Sequence, residues 1–328
     1  MMKIDFVVPW VDGSDSEWLA ERQKYSNKII QNDYRDWGLF KYWFRSIEKY
    51  APWVNKVYFI TYGHLPTWLN INHPKLVIVN HKDYIPEEYL PTFSANCIEL
   101  NLHRIQGLSE HFVYFNDDTY LCNMTKPRDF FVDGLPTDTA IINPVAPARY
   151  DTICNMMVNN IGIINDNFNK KKVMLRDFWK WFNVKYGKLN LLNLIFLPWG
   201  NWPGLLQQHL PSSLLKSSYE ELWNEHYDIL NNASLNHVRN FKVDVNQWLI
   251  KEWQIAKGNF SPTNIKRGKY FLVKNYCDAE NVVKYMNKNK PKMVCVNDHV
   301  EGLEIEKIIE YLQSEFDKKF PSKSKFEV

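Results

Sequence analysis

Phe112-Val113-Tyr114-Phe115-Asn116-Asp117-Asp118 is the stretch on which the reading of this chain turns. Four apolar or aromatic residues in a row describe a buried strand. The polar triplet that follows places an amide and two carboxylates where that strand leaves the core. In open α/β sheets, ligands bind outside the carboxyl ends of the strands, so a site is expected there. Adjacent carboxylates suit a hard divalent cation, and such a cation suits a phosphate or diphosphate. The same residues also spell an Asx-rich turn, because Asn and Asp favour turns for local reasons. By itself the stretch leaves both readings open.

Upstream, Ile4 to Val8 is a β-rich run stopped by Pro9. Trp10-Val11-Asp12-Gly13-Ser14-Asp15 then turns the chain, with Ser14 or Asp15 as the cap of a helix over Glu17 to Tyr25. Arg35 to Tyr50 reads as an amphipathic helix, with Trp37, Phe40, Phe44 and Ile47 at helical spacing. Strands are expected at Val57–Tyr62 and Leu76–Asn80. A helix over Ser94–Leu108 carries Asn96, Glu99 and His103 on one polar face. This alternation of strand and helix implies a mostly parallel sheet. The chain carries neither a G-x-G-x-x-G turn nor a Walker A loop, so neither of those nucleotide-binding classes is supported.

Downstream, residues 123 to 150 are loop-rich, with a strand expected at Thr139–Ile142 and a charged cluster at Arg149-Tyr150-Asp151. Phe168–Tyr186 reads as a helix rich in lysine and aromatics. Leu189–Trp202 reads as a buried hairpin or as a lid over a ligand. Helices follow at Ser218–Leu230 and Asp244–Gln254, and strands at Tyr270–Val273 and Met293–Val296. The last of these runs into Asn297-Asp298-His299, a second carboxylate-bearing strand end. Leu303–Phe316 is a helix, and Asp317–Val328 reads as a frayed tail. No repeat or low-complexity linker divides the chain. It reads as one catalytic domain with an α/β half (1–150), a mainly helical insertion (151–290) and a returning strand and helix (291–328).

The 328 residues are 45% hydrophobic and 23% charged, an ordinary globular composition. Net charge is +3, too little to indicate nucleic acid. Aromatics reach 15%, which suits a carbohydrate or base partner but fills cores equally well. The five cysteines form no C-x-x-C pair, which argues against a zinc cluster or disulfide framework and for a reducing, cytoplasmic setting. No apolar run reaches the roughly 18 residues of a membrane span. Lys284, Lys288, Lys290, Lys292 and the tail lysines could support peripheral membrane contact, although a solvated basic stretch is the default.

Four ordered blocks carry a resemblance. They are Ile4 to Asp15; Arg35-Asp36 through Glu99, His103-Arg104 and Gly107-Leu108 to Asn116-Asp117-Asp118; His209-Leu210-Pro211 to His237-Val238-Arg239; and Val294 to Asp298. In these the chain resembles the Stealth family of capsular polysaccharide phosphotransferases, which includes the catalytic core of the animal N-acetylglucosamine-1-phosphotransferase. The resemblance implies a GT-A-like nucleotide-sugar-binding sheet flanked by helices, with added helical segments packed on it. It implies transfer of a sugar-1-phosphate from a UDP-sugar to a hydroxyl of a glycan acceptor, expected to be lipid-linked, with release of UMP. Mg²⁺ or Mn²⁺ is expected, with Asp118 as first ligand, Asp298 as second and Asp117 as ligand or support. Glu99, His209 and Arg239 match family active-site positions. Either His209 or Glu99 would take the proton, and Arg239 would bind phosphate oxygens. Trp10, Val11, Asp12, Gly13 and Asn116 are expected to line the nucleotide site, although Trp10 is equally readable as core. His237 reads as a helix-end histidine. The rivals are a metal-dependent glycosyltransferase releasing UDP and a non-enzymatic glycan-binding module.

Overall fold

The computed structural model describes residues 2–26, 34–147, 152–302 and 304–328. Arg149, Tyr150 and Asp151 of the expected charged cluster and Leu303 at the expected helix start lie outside the described residues.

The first strand, β1 (Ile4–Trp10), is central because it is apolar on both faces. Ile4, Phe6 and Val8 pack into one core layer and Val7 into the other. It pairs in parallel with β2 (Val57–Thr61) on one side and with β4 (His111–Tyr114) on the other, and β2 pairs with β3 (Leu76–Asn80). Pro9 does not end the strand. Pairing to β4 stops at Val7, so the missing N–H at Pro9 interrupts no ladder on that side. A short antiparallel strand, β8 (Ser212–Leu215), closes the far edge of the sheet, giving the order β3-β2-β1-β4-β8.

The chain leaves β1 for β2 and β3 on one flank and returns to β4 on the other. That reversal opens a crevice outside the carboxyl ends of β1 and β4. Trp10 ends one of these strands, and Asn116-Asp117-Asp118 follows the other.

Beside this sheet lies a second one, in which β11 (Met293–Asp298) pairs in parallel with β10 (Gly268–Val273) and antiparallel with β5 (Thr119–Leu121). A third, small sheet joins β6 (Phe131–Val132), β7 (Leu135–Asp138) and β9 (Ser261–Pro262). Strand β7 thus precedes the expected strand at 139–142, where Ile142 makes only an isolated bridge to Leu205.

The first helices are α1 (Ser16–Gln23), α2 (Phe40–Tyr50) and α3 (Ala95–Leu100). Asp15, not Ser14, caps α1, its Oδ1 accepting from the Trp18 N–H at 2.7 Å. Helix α2 starts later than its apolar periodicity suggested. Gly38 takes a left-handed φ of 66°, its N–H bonds Asp36 Oδ1 at 2.6 Å, and residues 34–38 form a loop instead. Helix α3 stops at Leu100, followed by a 3₁₀ turn at Leu102–Arg104, so the expected long helix to Leu108 is broken.

The insertion supplies α4 (Ile153–Asn167), α5 (Lys170–Arg176), α6 (Phe178–Trp181), α7 (Asn190–Ile195), α8 (Lys216–Glu225), α9 (Tyr227–Ser234) and α10 (Trp248–Lys257). Helices α11 (Tyr276–Met286) and α12 (Ile305–Lys319) cover the second sheet. The tail is not frayed. Phe326 is buried, and Glu327 accepts from Arg45 at 2.9 and 2.7 Å, which ties the C-terminus to α2.

Candidate active site

A cleft of about 1270 Å³ opens at the carboxyl ends of β1 and β4. Trp10, Val11, Glu99, Asn116, Asp117, Asp118, His209, Arg239 and Asp298 all line it, although they come from distant parts of the chain. Asp12 and Gly13 do not. The Asp12 carboxylate closes its own turn instead, accepting from the Ser14 N–H at 2.9 Å and the Ser14 hydroxyl at 2.6 Å. The Ser14 hydroxyl is the main reason its pKa lies below the usual carboxylate value. Gly13 packs against Tyr34 so tightly that a Cβ there would meet the Tyr34 carbonyl oxygen at 2.1 Å. These two residues shape the rim and leave the floor to others. Trp10 borders the cleft while stacking on Phe40 at 5.8 Å and 3°.

The floor is acidic. Asp117 faces the open cleft, yet it lies deep between the walls. Removal from bulk water, reinforced by Asp118 and Asp36, pushes its carboxyl up to about 7. Asp118 is fixed by its neighbours: Oδ2 accepts from the Cys295 thiol at 3.3 Å and the Asn297 amide at 3.2 Å, and Oδ1 accepts from the Thr119 hydroxyl at 3.1 Å. The backbone N–H of Val296 bonds the Asp118 carbonyl at 2.9 Å and joins the two strand ends.

Asp298 is placed differently from its expectation as a second metal ligand. Its Oδ2 accepts from Arg35 Nε at 2.7 Å and Trp37 Nε1 at 2.9 Å, and its Oδ1 from Arg35 Nη2 and the Val300 N–H, both at 2.9 Å. Four donors saturate it, so it acts as a clamp on the 34–38 loop. The reason lies in strand geometry. Side chains alternate faces along β11, so Cys295 and Asn297 turn together towards Asp118 while Asp298, still bordering the cleft, turns towards Arg35 and Trp37. Cys295, Asn297, Arg35 and Trp37 carry no site role in the sequence pattern alone. The two-residue period through Val294–Asp298 was the signal that would have found the first two.

The opposite wall comes from the insertion. His209 sits in the loop before β8, where Asn116 Nδ2 approaches its Nε2 at 2.8 Å and Tyr270 packs edge-on at 5.2 Å. Arg239 makes no ion pair among the described residues and borders the cleft, exposed. Glu99 receives a hydrogen bond from Tyr114 Oη at 2.9 Å. Burial raises its pKa, against the opposing pull of Arg239 and Tyr114.

The polar stripe expected on one helix separates. Asn96 and Glu99 reach the cleft, with Asn96 also bonded to Asp244 Oδ2 at 2.8 Å. His103 lies beyond the helix break, stacked on Tyr219 at 5.6 Å and outside the lining. His237 is a structural residue, its Nδ1 paired with the Pro91 carbonyl at 2.6 Å.

Ligand atoms of Asp118, His209 and Cys295 lie within 4.8 Å of one another. The Cys295 thiol donates to Asp118 Oδ2 at 3.3 Å, and burial, and after it Asp118, holds it well above its usual pKa. The other two donors of this cluster, Asp118 and His209, suit a hard dication, and Asp117 lines the same cleft.

Fold and cleft together define an α/β enzyme with an acidic site at the strand carboxyl ends, walled by a histidine and an arginine. Comparison with known proteins makes this specific. The profile "Stealth protein CR1, conserved region 1" matches residues 2–29, and "Stealth protein CR2, conserved region 2" matches residues 33–138. The capsular polysaccharide phosphotransferase WcwK of Streptococcus pneumoniae is 44% identical over 334 residues, 100% of this chain and 98% of that protein. The exopolysaccharide phosphotransferase cps2G of Lactiplantibacillus plantarum is 44% identical over 329 residues, covering 99% of this chain and 96% of the relative. The receptor polysaccharide phosphotransferase WefC of Streptococcus oralis is 40% identical over the whole of both chains.

The chain belongs to the Stealth family, and it is an enzyme that transfers a phosphate-containing group. Among solved structures, the bifunctional glycosyltransferase WbbM is similar at TM-score 0.40 and 11% identity, covering 98% of this chain and 52% of that one. The galactosyltransferase LgtC is similar at TM-score 0.39 and 9% identity, covering 94% and 95%. Both likenesses are too loose to carry an assignment of chemistry.

Proposed function

We propose that the protein transfers a hexose- or N-acetylhexosamine-1-phosphate from a UDP-sugar to a glycan hydroxyl, forming a phosphodiester and releasing UMP. The observation that carries this reading is the convergence of Glu99, Asp117, Asp118, His209 and Arg239 on one cleft. The relatives' names as polysaccharide phosphotransferases support it.

The acceptor oxygen attacks the phosphorus that bears the sugar. A P–O bond forms, the P–O bond to UMP breaks, and the hydroxyl proton passes to a base on the protein. Such a transfer needs an aligned nucleophile and relief of negative charge more than covalent help. A bound Mg²⁺ or Mn²⁺, held by Asp118 with Asp117 and His209, would supply charge neutralisation on the diphosphate.

Arg239 presents its guanidinium to the cleft, where it can pair two phosphate oxygens at once. Glu99 is the better placed base. Its pKa is raised, and Tyr114 orients the carboxyl from behind. The Nε2 of His209 is engaged by Asn116, which suits a positioning or ligand role. The three donors Cys295, Asn297 and Thr119 keep the Asp118 carboxylate aimed without exhausting its lone pairs.

The test is the nucleotide product. The protein is incubated with a panel of UDP-hexoses and UDP-N-acetylhexosamines and a glycan acceptor, with Mg²⁺, Mn²⁺ or EDTA. UMP released in step with phosphodiester formation, and abolished by EDTA, is expected. Stoichiometric UDP would instead identify a glycosyltransferase that breaks the anomeric bond.

A further inference from the structure

The Leu189–Trp202 stretch, expected as a buried hairpin or a lid over a ligand, forms no hairpin and contributes α7 (Asn190–Ile195) to a mainly helical segment running from Lys170 to Gly200. It is firmly held from within. Val173, Met174, Trp181 and Tyr186 are buried. The Asn193 amide donates to the Ala140 and Trp181 carbonyls at 2.8 and 2.7 Å and accepts from the Ile142 N–H at 2.8 Å. Lys170 Nζ donates to the Phe196 carbonyl at 2.6 Å, and Trp181 stacks on Trp202 at 5.9 Å.

On this frame Leu175, Trp179, Val184, Leu191, Ile195 and Trp199 are exposed, with Leu175 at 78%, Trp179 at 79% and Val184 at 91%. Of the 22 large hydrophobic side chains exposed among the described residues, nine lie between 175 and 199. Ordinary surfaces scatter such residues singly, and a cluster marks an interaction surface.

Charge narrows the partner. Residues 168–202 contain seven Lys and Arg against one Asp, in a chain whose total charge is only +3. Lys171, Lys172 and Lys188 are exposed and make no ion pair among the described residues. Protein–protein interface cores are depleted in lysine. A second copy docked face to face would set like charges against one another. An anionic bilayer surface satisfies both halves of the pattern: apolar tips and tryptophans enter the interfacial zone while lysines meet the headgroups.

We propose that the face built from α5, α6, the 184–189 turn and α7 docks this enzyme on an anionic lipid surface. Beyond this face the chain passes through the buried Trp202 and Leu205 to the loop bearing His209 in the cleft wall. The assignment is independent of the transfer chemistry, and its test uses no turnover.

The full chain is sedimented with vesicles of equimolar phosphatidylglycerol and phosphatidylcholine, and with phosphatidylcholine alone. Binding to the anionic vesicles, weakened by salt, is expected, with tryptophan emission shifted to the blue and quenched by brominated lipid. The double variant Trp179→Ser/Trp199→Ser should bind the same vesicles at least about tenfold more weakly. Lys171→Glu/Lys172→Glu/Lys188→Glu should lose the preference for anionic lipid. All five side chains are exposed, so thermal unfolding should stay at the wild-type value and exclude misfolding as the cause. Three results would overturn the proposal: no vesicle binding by the wild-type chain, binding that the tryptophan variant leaves unchanged, or a lipid-free dimer, seen by analytical ultracentrifugation, that this variant abolishes.

Discussion

Replacing Asp298 by Asn separates a clamp from a metal ligand. The wild-type carboxylate accepts two bonds from Arg35 and one from Trp37, in surroundings where Arg35 is 25% exposed and Asp298 17%. An asparagine keeps one acceptor oxygen and turns an amide donor towards donors. At about 1.5–3 kcal/mol for a bond to a charged partner, discounted for partial exposure, the loss is about 2 kcal/mol. For a chain of 328 residues that corresponds to a fall of about 3 °C in melting temperature. The released 34–38 loop borders the cleft, so the Michaelis constant for the nucleotide-sugar should rise by up to about thirtyfold while kcat changes little. Mn²⁺ affinity, read from free Mn²⁺ by electron paramagnetic resonance, should match wild type, whereas Asp118→Asn should abolish binding. Loss of Mn²⁺ binding in Asp298→Asn, with the fold intact, would refute the clamp and restore Asp298 as a ligand.

Arg239→Ala should lower kcat with that donor by about 10²–10³-fold, and Arg239→Lys should recover only part of it, because a lysine cannot present the planar fork; wild-type turnover in the alanine variant would remove Arg239 from the site. His103 is buried beside Tyr219 and Trp223, and burial, with Arg104 adding to it, lowers its pKa to about 3. The unfolded chain therefore binds this proton when the native state does not, so stability is lost as pH falls below about 6.5. That loss amounts to about 2 kcal/mol by pH 5. Urea unfolding of His103→Gln across this range should show a correspondingly shallower acid slope, and an identical slope would place His103 in contact with water.

The parts of this protein that depend on local pattern were legible in the sequence. Apolar-rich runs at Ile4–Val8, Val57–Thr61, Leu76–Asn80 and Phe112–Phe115, broken only by Asp5 and the terminal Thr61 and Asn80, define the parallel strands, because each packs into core on both faces. The polar triplet after Tyr114 had to fall at a strand end. Element lengths were less legible. Gly38 and the break after Leu100 cut two helices that periodicity had joined, since a favourable stripe does not show where the backbone leaves the helix. Strand β8 was missed because Ser212-Ser213-Leu214-Leu215 carries little strand signal and is held by pairing to β4.

By itself the sequence determined the family, the parallel sheet and the residue types that meet in the cleft, because motifs and periodicity are properties of neighbours along the chain. Only the tertiary structure decided which of those residues face one another. Asp118 gained Cys295 and Asn297 as partners, and Asp298 was committed to Arg35, because the pairing of β5 with β11 set which face of the strand met Asp118. Likewise, an apolar run such as 189–202 cannot state which way it points. Burial there depends on whether another element covers it, and among the described residues Leu191, Ile195 and Trp199 remain exposed to solvent.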